Sequence, residues 1–407
     1  MKLKIRSAQI LGLIAAEFLS LFGNQIAVVA VPILVLQFTN SPSVVGIASA
    51  GNAIGILLAA IVGGRAIDKF GAWNISVTAD LLSFGSVLAL PLAFSYFDRV
   101  SPGLIFLLVF SGTLFDPTGI AARQTLVAST TELSGRSLDK INSWRGGLEN
   151  GADFIGPVVG VGLIAAIGTV NAFFINAVTF LLSAVVFAIA VPRKREIESR
   201  SPENAGWLGI KFIFKHPLLR TLAVVGAIAN FAILPFLGLL LPVLATQKFG
   251  NTTLLGICLS VFGLAATVGA TSFSLLSRRF SRSAIYYGGL LMTGISIIFC
   301  ALAADRYELI MSAALAGLLL GSGNPLEQTI LQAETPENIA GQVFTSMTAM
   351  HFVGGPIGLL LAGFAAELTS VELMLMSAGS LLIALAVFGA CRLPIDFRSG
   401  LTQTHYM

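Results

Sequence analysis

Arg145, Glu149 and Asp153 stand at four-residue steps inside a largely apolar stretch. Residues four apart return to one face of a helix, so one positive and two negative charges share a side. Counted from a helix start near 141, Asp153 lies about 18 Å along the axis, close to the middle of a bilayer. Each such group costs about 3 kcal/mol or more in lipid unless it is paired or faces water. The charged face must therefore line a wet cavity or meet a partner helix. A carboxylate removed from water is disfavoured as the anion and can carry a proton at working pH. Proton carriage is the chemistry these residue types and spacings allow. An ion pair between Arg145 and Glu149 is a simpler reading, but it leaves Asp153 unexplained.

Asp116, Glu17 and Glu327 are further carboxylates deep in apolar segments, and Asp116 directly precedes Pro117, whose bend can present it to a cavity. Arg123 is available either to Asp116, two turns away, or to Glu149. Asp80 reads as an interfacial structural residue. His351 sits alone among the histidines within an apolar span, as a helix-to-helix hydrogen bonder or as a proton site. Asn24, Gln25, Asn52, Asn230, Asn324 and Gln328 offer adaptable polar contacts to a substrate, or ordinary amide packing between helices.

The elements that hold these groups are apolar and long. Of 407 residues 56% are hydrophobic and only 11% charged, and the mean hydropathy is +0.89. Such a chain has no charged skin for water, so the bilayer is its solvent. About 20 apolar residues cross a bilayer as a helix. Twelve segments qualify, near 9–36, 43–64, 74–96, 103–127, 141–166, 170–191, 218–245, 252–277, 283–303, 308–332, 342–366 and 371–391. The first is expected to be a retained span and not a cleaved leader. The fold class is an all-α polytopic membrane protein of twelve spans.

The chain also repeats itself. Pro32, Gln37, Gly46-Ile47, Ala60 and Phe70 recur in register as Pro242, Gln247, Gly256-Ile257, Ala270 and Phe280, and Gly156-Pro157 as Gly355-Pro356. A duplicated set of spans places a substrate path at the seam between halves. The expected division is a six-helix bundle over 1–191, a linker over 192–217 and a second six-helix bundle over 218–407. Lys211-Phe212-Ile213-Phe214-Lys215 reads as a short amphipathic piece ahead of the seventh span. Nearly all of the 24 lysines and arginines fall on the side of the amino terminus; Arg99, Lys248 and Arg306 lie opposite. The excess of basic loops predicts that both termini are cytoplasmic, in an inner membrane. Because the basic residues lie in short loops, the pI near 9.1 does not point to nucleic acid. Cys258, Cys300 and Cys391 stand singly, without ligand spacing for a disulfide framework or a metal, and no cofactor is expected.

The loop after the second span reads Gly64-Arg65-Ala66-Ile67-Asp68-Lys69-Phe70-Gly71. It resembles the G-x-x-x-D-[RK]-x-G element of the major facilitator superfamily, although Ala72-Trp73 replaces the usual following basic pair. The resemblance implies an inner gate latch built on Gly64, Asp68, Lys69 and Gly71. Gly64 is expected to let two helices approach closely and Gly71 to permit a tight turn. The fifth span carries Gly151, Gly156, Pro157 and Gly160, similar to the G-P-x-x-G element of that superfamily's exporters. Pro157 removes a backbone donor there. With Phe115-Asp116-Pro117 and Glu334-Thr335-Pro336-Glu337, the arrangement is similar to the branch holding macrolide-efflux and enterobactin-export permeases. Gln342 stands where that branch usually has arginine.

The resemblance implies two pseudo-symmetric six-helix bundles and proton-coupled export by a monomer whose partners are a small substrate, protons and the bilayer. No phosphate loop supports an ATP-driven pump, and one span histidine without a nucleophile or metal partner argues against an intramembrane enzyme. A receptor on a transporter scaffold is disfavoured by the gate element. With only Arg123 and Arg145 against several carboxylates, neutral or cationic amphipathic cargo fits better than an anionic siderophore. A dedicated siderophore or metabolite exporter is the alternative.

Overall fold

The computed structural model describes residues 2–97, 99–134, 138–193, 205–336 and 339–393. Every regular element among them is helical. The first six are α1 (Lys2–Thr39), α2 (Pro42–Phe70), α3 (Ala72–Tyr96), α4 (Pro102–Ser134), α5 (Leu138–Ile167) and α6 (Thr169–Ala190). The short α7 (Ala205–Lys215) follows. Six more are α8 (Pro217–Lys248), α9 (Thr252–Leu276), α10 (Arg282–Leu302), α11 (Arg306–Glu334), α12 (Ala340–Leu368) and α13 (Val371–Arg392).

Local chemistry sets the helix starts. Ser41, Asn251, Ser281, Asp305 and Ser370 each accept a backbone N–H of the first turn, which satisfies a donor the helix itself cannot. Gly71, at φ 83°, is the whole connection between α2 and α3, the tight turn its sequence context predicts. Eleven helices among the described residues are long and apolar enough to cross a membrane. The exception within the expected twelve is α5, whose apolar part is Ile155–Ile167. Its earlier turns hold Asp139, Lys140, Arg145, Glu149 and Asp153, and a helix this charged crosses lipid only inside a bundle. The exposed Leu11, Leu107, Ile189 and Met311 fit an exterior solvated by lipid.

Packing repeats across the two sets of spans. In the first, α5 packs on α1 and α4 on α2; in the second, α12 packs on α8 and α11 on α9. Small residues make the contacts possible. A methyl group on Gly156 would strike the Gln25 side chain of α1, and one on Gly354 or Gly358 would strike the Ala227 or Phe231 carbonyl of α8. The glycine-proline elements of the fifth and eleventh spans thus occupy equivalent crossings. The helix α7 is not free: Gly209 lies directly on the Gln342 carbonyl of α12, with Ile213 buried and Lys211 and Lys215 exposed.

The repeated glycines Gly46 and Gly256 join the two sets. A Cβ on Gly46 would lie 2.7 Å from the Leu359 carbonyl of α12, and one on Gly256 would strike Val161 of α5. Both lie toward the end of the bundle opposite the start of α1, here termed the distal end. There Ser41 Oγ donates to Glu367 Oε2 (3.0 Å), as does the Ser43 N–H at 3.3 Å, so the last turn of α12 caps the positive start of α2. Ser49 Oγ donates to the Gly238 carbonyl of α8 at 2.8 Å. Gly46→Leu is expected to hold the distal end apart. With Cys391→Ser removing the exposed native thiol, Ser49→Cys should then react with a maleimide at least about tenfold faster than in the Gly46 background, since backbone contact leaves a side chain there no room.

Two helices depart from regularity. Following Pro235, α8 passes through wide turns at Phe236–Leu240 and Leu244–Lys248, a feature often found near functional sites. In α11 the helix breaks at Ser322, between Gly321 and Gly323 and ahead of Pro325. Proline withholds the hydrogen that would close the preceding turn, and the glycines stiffen nothing.

Candidate functional site

The polar groups at depth fall into four clusters, three in the first set of helices and one in the second. On α1, Glu17, Ser20 and Asn24 form a stripe at spacings of three and four; Glu17 bonds Arg145, while Ser20 and Asn24 both bond Asp116. Arg145 of α5 forks onto Glu17, with Nε donating to Oε2 at 2.6 Å and Nη2 to Oε1. Two parallel charge-assisted bonds fix both side chains. Arg145 thus has a carboxylate partner across two helices; the Glu149 side chain, its simpler expected partner, lies outside the described residues. Glu17 is then a bound counter-ion, which weakens its candidacy as a proton carrier.

Asp116 of α4 is 6% exposed. Ser20 Oγ donates to its Oδ1 at 2.7 Å, and Asn24 Nδ2 donates to Oδ2. Two neutral donors and no ion pair with the described residues hold it against α1. A proton on Asp116 must be donated in turn: the Ser20 hydroxyl can rotate to accept it, but the Asn24 NH2 group cannot. The contact between α1 and α4 is therefore built to change with protonation.

Arg123 is fully buried, and its partner is neither Asp116 nor Glu149. Nη1 donates to Asp80 Oδ2 at 2.9 Å and Nη2 to Oδ1 at 3.3 Å. Ser183 of α6 accepts from Nη1 at 2.9 Å, and its Oγ lies 2.6 Å from Asp80 Oδ2 and 2.8 Å from the Ala16 carbonyl. Four helices are knotted together, and Asp80 is enclosed, not interfacial. Close packing of α3 on α4 brings Asp80 to the guanidinium, while Asp116 draws its donors from α1. Both side chains are at 0% exposure, so the knot is sealed from solvent.

The second set forms a partly open cavity of about 210 Å³ between α8, α10, α11 and α12. Asn230, Tyr286, Asn324, Glu327 and His351 supply its polar lining. Glu327 Oε1 lies 3.3 Å from His351 Nδ1, and His351 Nε2 lies 3.2 Å from the Leu222 carbonyl of α8. Gly226 makes the fit possible, since any Cβ there would strike the imidazole. The break in α11 falls directly before Asn324 and Glu327. Broken helices are a recurrent way to aim polar groups at a transport path. Asn230 donates to the Gly226 carbonyl of its own helix at 3.1 Å.

Other expected residues are placed differently. Gly64 is not at a close helix crossing: a Cβ there meets nothing within 4 Å, and the neighbouring Gly63 instead faces Thr118 of α4. One residue along a helix turns the side chain by about 100°, so only Gly63 points at α4. Lys69 sits at the end of α2 with Nζ 5.2 Å from the Phe70 ring. Gly160 approaches Ile26 Cα, and the Pro157 carbonyl faces Gly256 of α9. Gln25 is half-buried over Gly156, while Asn52 and Gln328 are exposed and lie outside the cavity lining. The side chains of Asp68, Glu149 and Asp153, and the surroundings of Gly151, lie outside the described residues. Sequence reading missed Ser20, Ser183, Tyr286 and Glu367. Only Ser20 left a signal, its spacing from Glu17 and Asn24.

Comparison with known proteins adds identity to this geometry. The sequence profile of the Major Facilitator Superfamily matches residues 13–269 and 227–404. The chain is 29% identical over 348 residues to the multidrug efflux pump Tap of Mycolicibacterium fortuitum, covering 84% of this chain and 85% of the relative. It is 27% identical over 383 residues to the enterobactin exporter EntS of Escherichia coli O139:H28, covering 90% and 88%. The crystal structure of the nucleoside transporter NupG superimposes with a TM-score of 0.77 at 13% identity, over 94% of this chain and 99% of that one.

Proposed function

The chain belongs to the major facilitator superfamily, a family of membrane transporters and not of enzymes, and on that premise we propose that it exports small amphipathic compounds in exchange for protons. The reading places it in the cytoplasmic membrane with both termini inside and the substrate path between bundles 1–191 and 218–407. The observation that carries it is Asp116, a buried carboxylate held by two neutral donors whose bonding must rearrange when it takes a proton. Similarity to a named multidrug efflux pump and the glycine-proline element of α5 support export over uptake. In this orientation the distal end is the outer one, and its contacts through Gly46, Gly256 and Glu367 are those of a carrier closed to the outside. Cargo of neutral or cationic character fits the carboxylate-rich interior; enterobactin export by a 27% identical relative keeps an anionic siderophore as the second reading.

The test is transport by the full chain in proteoliposomes with an imposed pH gradient and no ATP. Ethidium is expected to move against its concentration gradient when the opposite compartment is acidic, and to stop when a protonophore collapses the gradient. Enterobactin moving in its place would establish the second reading. Movement insensitive to the gradient would remove proton exchange from either.

A further inference from the structure

The cavity in the second set of helices is organised around one proton. A carbonyl oxygen only accepts hydrogen bonds, so His351 Nε2, at 3.2 Å from Leu222 O, carries a hydrogen. A neutral imidazole then presents a bare lone pair at Nδ1, 3.3 Å from Glu327 Oε1. Two bare lone pairs would face each other there, and a proton on either atom would relieve that approach. Whether oxygen or nitrogen holds it, the pair has no net charge. Gly226, which leaves room for the ring, fixes this tautomer by letting Nε2 reach α8.

The other groups facing the pair decide what else fits. From α10 comes Tyr286, and from α8 only the Asn230 amide and the Leu222 carbonyl; α11 adds Asn324. No lysine or arginine among the described residues lines the cavity. Tyr286 and Asn324 make no hydrogen bond with the described residues, so a hydroxyl and an amide remain to meet a ligand. Once the shared proton leaves, the cavity holds a carboxylate beside a phenol and amide groups with no cationic side chain among the described lining residues, a setting that selects positive charge. An anion would meet that carboxylate without a compensating cation.

We propose that Glu327 and His351 form a single proton-holding unit at which the ammonium head of an organic cation takes the proton's place. The exchange balances. The proton leaves to water, the carboxylate pairs with the cation, the neutral imidazole keeps its Nε2 hydrogen on Leu222 O, and the cavity's net charge stays at zero. No covalent bond forms or breaks. A cavity of about 210 Å³ takes a head group, leaving the body of a larger cargo to the space between the two helix sets. The proposal goes beyond proton-driven export, since it needs neither a direction nor a gradient.

The experiment is equilibrium calorimetry of the detergent-purified full chain with tetraethylammonium chloride, against sodium chloride at equal ionic strength. Measured in two buffers of different ionisation enthalpy, binding should release about one proton per cation, and affinity should rise up to about tenfold per pH unit while the pair is protonated. Glu327→Gln should weaken binding more than about tenfold and end proton release. His351→Gln keeps the carboxylate, so binding should persist with its pH midpoint displaced, a change that a packing role would not produce. Absence of binding, binding without proton release, equal binding by Glu327→Gln, or an unmoved midpoint in His351→Gln overturns the proposal. An importer would still pass this assay, and an exporter coupled only through Asp116 would fail it, so its outcome is separate from that of the gradient experiment.

Discussion

Asp116→Asn is expected to abolish gradient-driven accumulation while leaving exchange of cargo for cargo intact. One pH unit is worth 1.36 kcal/mol per proton, so an antiporter moving one proton per cargo sustains up to about tenfold accumulation across it. Asparagine has the shape of a protonated aspartate and cannot release a proton. The variant should therefore hold α1 and α4 in the arrangement of the neutral acid, and accumulation should fall to about onefold. The new amide nitrogen can donate to Ser20 Oγ while the new Oδ1 accepts from Asn24 Nδ2, so the helix contact survives and the protein should purify folded. The measurement is paired: pH-driven accumulation of ethidium, and counterflow of labelled ethidium with no pH difference. Loss of the first with retention of the second assigns proton carriage to Asp116. Full accumulation by the variant would move that role elsewhere.

Arg123→Met should be the most destabilising single substitution among the polar groups described. The guanidinium is fully buried against Asp80 and Ser183, and removing it strands a carboxylate in a medium that cannot solvate it. Breaking a buried pair in this way costs about 3–5 kcal/mol. Replacing both partners, as Arg123→Met with Asp80→Leu, removes the stranded charge and should recover most of the loss, because a well-packed apolar pair is often no worse than the ions it replaces. Unfolding of the unsubstituted protein and the two variants in mixed micelles by titration with sodium dodecyl sulfate checks the order. A stable Arg123→Met single variant would mean that Asp80 carries its own proton, and the knot would then belong with the titrating groups instead of the scaffold.

These two expectations separate residues that looked alike along the chain. Asp80 and Asp116 are both aspartates in apolar helices, and Arg123 stands at a spacing that suits Asp116. Helical periodicity places side chains on the faces of their own helix, but the neighbour across the gap is set by packing between helices. Asp80 received the guanidinium because α3 lies against α4 at that height, whereas α1 supplied hydroxyl and amide to Asp116. Arg145 likewise reaches across to Glu17 of α1. Gly64 and Gly63 show the same limit on a smaller scale, since the motif marks small residues near the end of α2 while one residue of rotation decides which glycine meets α4.

Glu327 and His351 were visible separately as ionisable groups in different spans, 24 positions apart. Their union needs the break of α11 at Ser322, the room left by Gly226 and the approach of α12 to α8. The repeat of Gly46 as Gly256 was plain in the residues, yet its use as a pair of seams between the two helix sets emerged only when each glycine was found against the opposite set.

What the sequence determined by itself is whatever depends on composition and local order: a bilayer solvent, helical spans of the right length, a duplicated plan and a family. Transfer free energy and helix geometry act over a few turns, so they can be read from a single strand of text. What only the tertiary structure decided is which buried charge meets which donor. That outcome rests on distances of a few ångström between helices far apart in the chain, where one turn of offset exchanges a locked ion pair for a carboxylate held by neutral donors alone.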